Sequence, residues 1–400
     1  MTKKIIIILI IVAISFAGTR NIMPNRREMN QVEIVRIMGI DRTADGRVEV
    51  TLVRNYANTE LGGAIGETEE GADGEENQAG GGEEAASAAD PPSSANTISR
   101  IGETVSSAIS NLRRGMEREV LTSHIEYILI GEDAVKSDIA GFMDFLSRDI
   151  DARLSAGIYV VKDSSAKDFL NSMPEGFILA DKLSNFGRNS GVSAISSEIT
   201  LADFLRKLTS GSGDGIIPTV SISEQDEQMS VTLGGYAIIA NEKFAGFMDE
   251  NAAGGFNLIT ETSSAGGIAL QYRDNYVSIQ VSDFRTRVTF DFQDSELRAI
   301  NIITVVDANV NERHGRVDLT SREVVAELEM LASQHFKQQM SSAIELSQNY
   351  RSDFLGFGEM IRLRHPYRWE RLQSNWRTTL ATISINIIVN TQIAQAYSIL

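Results

Sequence analysis

The chain contains no cysteine in 400 residues. That absence excludes disulfides, thiolate metal sites, cysteine nucleophiles and thioether-linked lipid. Histidine is nearly as scarce. The four present, at 124, 314, 335 and 365, are far apart, and no two stand four residues apart, the helical spacing of a two-histidine metal site. There is no Gly-x-Ser-x-Gly elbow. The glycine-rich step 211–215 lacks the lysine and helix that a phosphate loop needs. Positive charge is short, with 37 Lys and Arg against 54 Asp and Glu and a net charge of −17. A chain this acidic is not expected to bind nucleic acid, which rewards the neutralisation of phosphates. Between 61 and 97 there is no Lys or Arg and almost no large apolar residue, while nine acids stand between Glu67 and Asp90. Such a segment buries too little surface to offset its ordering entropy and reads as a disordered acidic insert.

What is present suffices to fold. The apolar fraction of 42% is ordinary for a globular protein, and 400 residues exceed what one core usually serves, so two or three domains are expected. Lys3 and Lys4 precede an apolar run from Ile5 to Gly18. It falls short of the ~20 residues of a spanning helix and suits an export signal, with Ser15 and Ala17 as small cleavage-site residues. Residues 1–20 are therefore read as an export signal or short membrane anchor. Val32–Ile40 reads as a strand, Thr43–Gly46 as a turn and Arg47–Tyr56 as the return strand of a hairpin. Beyond the insert, Ile98, Ile101, Val105, Ile109, Leu112 and Met116 fall at helical spacing, predicting one amphipathic helix over Thr97–Met116 with Thr97 as its cap.

The stretch from His124 to Val161 carries the clearest fold signal. His124–Ile130, stopped at Gly131, reads as a buried strand. Glu132–Ser147 reads as a helix with acids in its first turn, where the dipole favours them. Ser155–Val161 reads as a second strand. Strand, helix and strand of these lengths make a parallel, right-handed βαβ unit. Helices follow at Ser164–Ser172 and Ser196–Thr209, and the step at 210–215 marks a domain boundary. Beyond it Ile216–Ser223 reads as an edge strand because of Pro218. Val231–Ala240 and Lys243–Met248 form a hairpin, with antiparallel strands at Gly266–Val281, Thr286–Phe292 and Glu296–Val310. Thr320–Tyr350 reads as one long helix and Thr382–Thr391 as the closing strand. The fold class is α+β. An N-terminal mixed sheet with a βαβ unit and flanking helices occupies 21–210, interrupted by the insert at 61–97. A C-terminal antiparallel sheet packed on long helices occupies 211–400.

No arrangement points to catalysis. Asp149 and Asp151 are two alternate carboxylates, a weak cation candidate. His124 is expected to be a hydrogen-bonded structural residue. Gly356 and Gly358 permit a tight helix-to-helix turn, with Phe357, Trp369 and Trp376 as core.

These landmarks resemble, in order, the Ger(x)C family, the C subunits of spore germination receptors. Arg27-Glu28-Met29-Asn30 followed by Gly39-Ile40-Asp41 is similar to the family's N-terminal signature. His124, Gly131, Glu132, Ala134, Arg148, Asp149 and Ala166 fit its pattern across the βαβ unit. Gly235, with Lys243, Gly246 and Asp249-Glu250, fits its hairpin pattern. Asp353, Gly356, Phe357, Gly358 and Glu359, then Pro366, Trp369 and Trp376, resemble its most specific motif. The likeness runs from Arg26 to Asn390 apart from the insert. It implies a non-enzymatic receptor subunit without cofactor, on the outer face of the inner spore membrane. Its partners would be an integral-membrane A-type subunit and a transporter-like B-type subunit, and these motif residues would be structural or interface positions. Family members carry an acylated lipobox cysteine. Here Phe16-Ala17-Gly18 is followed by Thr19, whose hydroxyl is not the thiolate that acylation needs, so no lipidation is expected. The alternatives are a solute-binding protein, which wants a deep polar pocket between domains, and a secreted enzyme, which wants a close cluster of histidines and carboxylates.

Overall fold

The computed structural model describes residues 32–54, 97–116, 118–149, 152–173, 179–193, 195–209, 213–225, 228–262, 266–294 and 296–394. Residues 1–31, with Thr19, Arg27, Glu28 and Asn30, lie outside them, as do residues 55–96, which hold nearly all of the insert.

Two sheets organise the chain. The first has nine strands, ordered β3 (Thr97–Gly102), β2 (Val48–Arg54), β1 (Val32–Arg42), β5 (Tyr127–Gly131), β6 (Gly157–Val161), β7 (Gly215–Gln225), β8 (Gln228–Ala240) and β9 (Lys243–Met248), with short β4 (Glu119–Leu121) beside β1. The centre, β1-β5-β6-β7, is parallel and both flanks are antiparallel. This is the expected mixed sheet, and β5, helix α2 (Glu132–Arg148) and β6 are its βαβ unit. Helices cover both faces. On one, α1 (Val105–Arg114), α2 and α5 (Leu201–Thr209) press Leu112, Phe142 and Phe204 onto Ile40, Ile130 and Val160. On the other, α3 (Ala166–Asn171) and α4 (Leu179–Ser193) press Phe169 and Leu183 onto Leu129 and Tyr159.

The second sheet is β10 (Gly267–Tyr272), β11 (Asn275–Gln293), β12 (Glu296–His314) and β13 (Ser384–Ala394). β10, β11 and β12 are antiparallel, and β13 joins β12 in parallel because three short helices carry the chain back before it. Ile300, Ile302 and Val306 pack under the long helix α7 (Arg322–Tyr350) through Leu328, Phe336 and Met340. Helix α6 (Glu250–Thr260) lies against α7. The three short helices are α8 (Phe357–Arg364), α9 (Pro366–Leu372) and α10 (Trp376–Thr382). Among the described residues no helix is long and apolar enough to cross a membrane.

Several expectations about local structure are corrected. Thr97–Met116 is a strand followed by a helix. The edge of β2 takes up Thr97–Gly102 in antiparallel register, and this ladder outweighs the helical spacing of Ile98 and Ile101. The helix starts later, capped by Thr104, whose Oγ1 accepts the Ser107 N–H at 3.2 Å. β7 is interior, between β6 and β8. Pro218 is tolerated there because β6 reaches β7 only at Thr219 and Val220 and the β7–β8 register shifts beside the proline, so its missing N–H falls at a bulge. His124, exposed, ends a 3-10 turn, and the strand begins at Tyr127. Residues 195–200 are extended, with Thr200 bridging Gly157, so the helix expected from Ser196 begins at Leu201. Asp249 and Glu250, placed with the hairpin pattern, cap and open α6, the Asp249 carboxylate accepting the Ala252 N–H at 2.8 Å.

Candidate functional site

The C-terminal motif folds around one carboxylate. Helix α7 ends at Arg351 in the left-handed region. The chain then turns through Ser352, Asp353 and Gly356, where φ is +77°. Asp353 is buried. Its Oδ1 accepts the Phe357 N–H at 2.9 Å, and its Oδ2 accepts the Gly358 N–H at 2.7 Å and the Trp376 Nε1–H at 2.8 Å. It thus satisfies donors at the buried start of α8 and ties α10 to it. Its own N–H donates to Asp214 Oδ2 at 2.9 Å. Asp214 also accepts the Asn241 N–H at 2.9 Å and a guanidinium N–H of Arg377 at 2.6 Å. Four segments distant in sequence therefore meet at two carboxylates. Burial pushes the Asp353 carboxyl up to about 6 although its three hydrogen bonds pull the other way. The expected turn is present, but the left-handed glycine is Gly356. Gly358 has a different job, since a Cβ there would lie 2.7 Å from Trp376 Nε1, 2.8 Å from Asp353 Oδ2 and 2.8 Å from the Trp369 ring. Phe357 and Trp376 are buried, and the two tryptophan rings meet edge-on at 5.6 Å. Pro366 opens α9, and Glu359 pairs with Arg362 at 2.6 Å.

A second carboxylate gathers the N-terminal motifs. Asp41, at the end of β1, is buried and caps α3, its Oδ1 accepting the Ala166 N–H at 2.7 Å and its Oδ2 the Lys167 N–H at 2.8 Å. Burial pushes this carboxyl up to about 6 as well. Gly39 lies under Ala166 and Leu170. Gly131 leaves the space that Asp41 fills, and a Cβ there would collide with its Oδ1. Glu132 binds the Asp163 N–H and Lys136, each at 2.5 Å. In open sheets with parallel strands, ligands settle beyond the carboxyl ends of those strands. Here that position, beyond β1, β5 and β6, is taken up by α3 and its cap.

Other expected residues are dispersed. Arg148 pairs with Asp144 at 2.8 Å, and with Asp149 it borders an open groove of about 630 Å³ shared with Arg42 and Asp138. Gly235 sits where β8 passes the backbone of Met248. Asp151 lies outside the described residues, and among those described no three His, Asp or Glu side chains are grouped to hold a metal ion. An open groove of about 880 Å³ lies over β11 and β12 at Phe284, Arg287 and Ile303. Two residues with central contacts have no role in the sequence pattern. Asp214 stands in the glycine-rich step. The Tyr236 hydroxyl accepts the Ser197 N–H at 2.8 Å and donates to Asn257 Oδ1 at 3.0 Å, and burial pushes it up to about 12.

Comparison with known proteins gives concordant results. The family described as "Spore germination protein N-terminal domain" matches residues 25–222, and that described as "Spore germination B3/ GerAC like, C-terminal" matches residues 234–396. Among curated relatives from Bacillus subtilis (strain 168), spore germination protein YndF is 24% identical over 303 residues, covering 74% of this chain and 73% of that protein. Spore germination protein KC is 20% identical over 399 residues, covering 92% and 90%. The crystal structure of the GerBC protein superposes with a TM-score of 0.53 at 14% identity, covering 89% of this chain and 96% of that one. The α+β architecture is therefore shared with GerBC.

Proposed function

The chain belongs to the GerAC-like spore germination family, the Ger(x)C proteins, and on that premise we propose that it is the C-type, non-enzymatic subunit of a nutrient germinant receptor. The observation that carries this reading is the order and extent of the match. Both family domains follow one another along nearly the whole chain, and the relative named spore germination protein KC aligns over 92% of it. The motif geometry supports an assembly role, because Asp41, Gly131, Asp353 and Gly358 are engaged in internal caps and close packing. The subunit works on the extracytoplasmic face of the inner spore membrane, held by the apolar run within residues 1–20 and without lipid, Thr19 standing where the acylated cysteine would be. It assembles stoichiometrically with an integral-membrane A-type subunit and a transporter-like B-type subunit and relays germinant binding towards ion release.

Disrupting the gene tests this. Dipicolinate release in response to the cognate nutrient should fall, while calcium dipicolinate and high pressure should still trigger germination. The levels of the A-type and B-type partners should drop with the missing member. A normal response to every nutrient, with partner levels unchanged and no related receptor to compensate, would falsify the reading.

A further inference from the structure

The C-terminal motif has an outer side as well as a core. Phe357, Ile361 and Trp369 point inward from α8 and α9, whereas Leu363 is 67% and Tyr367 84% exposed, the two highest values for large apolar side chains among the described residues. Four arginines surround them. Arg362, Arg364, Arg368 and Arg371 stand against Glu359 and Glu370 only, in a chain whose net charge is −17. Three of the arginine heads are fixed. Arg362 pairs with Glu359 at 2.6 Å and keeps half of its side chain exposed. Arg364 donates to the Val288 carbonyl at 2.6 Å, and Arg368 stacks over the Phe292 ring at 4.2 Å. The neighbouring hairpin end carries Asp291, Asp294 and Glu296. Asp294 lies in the turn itself, and strand alternation turns Asp291 and Glu296 to the sheet face opposite Phe290 and Phe292, on which His365 stacks.

We infer that the outer surface of α8 and α9 is a lipid-contact patch that docks the domain on an anionic membrane surface. The chemistry fits that one occupant. Guanidinium groups pair with headgroup phosphates, and a tyrosine beside a leucine suits the depth of the interface. The charge contrast sets orientation. An anionic surface repels the acidic bulk of the chain and attracts this patch. A short peptide anchor without lipid also gains from a second membrane contact, since stable attachment by modest signals takes two of them. The inference rests on the membrane location proposed above.

The absence of native cysteine makes the experiment clean. Tyr367→Cys in the full chain carries an environment-sensitive fluorophore, and Tyr276→Cys, exposed on β11, carries the same label as a control. Each is mixed with phosphatidylcholine vesicles with and without phosphatidylglycerol. The label at 367 should shift to the blue and be quenched by spin-labelled lipid only on phosphatidylglycerol vesicles, while the label at 276 stays aqueous. Arg362→Gln and Arg371→Gln, at exposed positions, should each weaken that partition about fivefold, and raised salt should weaken it further. An aqueous label at 367 on vesicle-bound protein overturns the patch and leaves the membrane location standing. So does an equal shift on neutral vesicles, or burial of the label only when an acidic protein is added. Failure of the full chain to bind either vesicle overturns the membrane location itself.

Discussion

Asp353 faces three N–H donors, so a proton on either oxygen would confront another hydrogen. Asp353→Asn keeps the shape but turns an amide NH₂ towards Phe357 N–H or towards Gly358 and Trp376. It should cost about 1–3 kcal/mol in urea unfolding; a variant within a few tenths of the parent would show that the cap is dispensable. Burial gives Asp41 and Asp353 values of about 6 in the folded chain against an ordinary 3.8. Between those values the folded state holds protons that the unfolded state has released, so these groups make stability fall as pH rises from about 4 to about 6. Asp353→Asn should flatten that slope by one group's share, and an unchanged slope would remove Asp353 from the linkage. The two glycines should fail differently. Gly356→Ala meets a left-handed backbone and should cost about 1 kcal/mol. Gly358→Ala crowds both tryptophans and should cost about 1–3 kcal/mol. The chain's only tryptophans are Trp369 and Trp376, so native emission should move in Gly358→Ala alone; an equal response in both variants would contradict the assignment. The identities in this motif were legible in the sequence. Which glycine turns and which one packs was not, because both lack a Cβ and only the fold says what would occupy its place.

At the scale of elements, long periodic segments were legible and short or featureless ones were not. The β1–β2 hairpin, the βαβ unit and α7 each repeat an apolar pattern often enough to outvote local noise. Helix α6 is Asn, Ala and Gly at its start and is buried over most of its length, so it offers no amphipathic stripe. β3 was hidden because Ile98 and Ile101 continue the stripe of α1 backwards, and only the waiting edge of β2 makes them a strand. That pairing bears on the insert. The β2–β3 ladder aligns Val53 with Thr97, so a much shorter connection still closes the hairpin. Deleting residues 62–94 should leave the thermal midpoint unchanged or slightly raised, since shortening a connection several-fold returns about 1 kcal/mol of closure entropy. A fall of many degrees would mean that the segment packs.

On the scale of the whole molecule, the glycine step at 210–215 is where the sequence suggested a boundary, and the first sheet continues through it to Met248. Asp214 lies in that step, with its side chain 1% exposed. It takes the Asn241 N–H from the β8–β9 turn, the Asp353 N–H from the turn after α7 and the Arg377 guanidinium from α10. Close by, Ser352 Oγ donates to the Ile239 carbonyl at 2.9 Å. The last hairpin of one sheet and the helices of the other therefore share buried polar contacts that neither can satisfy alone. We propose that the residues on either side of 210–215 unfold together. The parent chain should then show coincident urea transitions by tryptophan emission, which reports α9 and α10, and by far-UV circular dichroism, which reports both sheets. Asp214→Ala strands the buried Asp353 N–H and takes one partner from the Asn241 N–H and from Arg377, a loss of about 1–3 kcal/mol. It should move the tryptophan transition to lower urea, ahead of the dichroism, as the C-terminal helices come free of a first sheet that is still folded. Coincident transitions at an unshifted midpoint in that variant would mean that the sheets are joined by apolar packing alone.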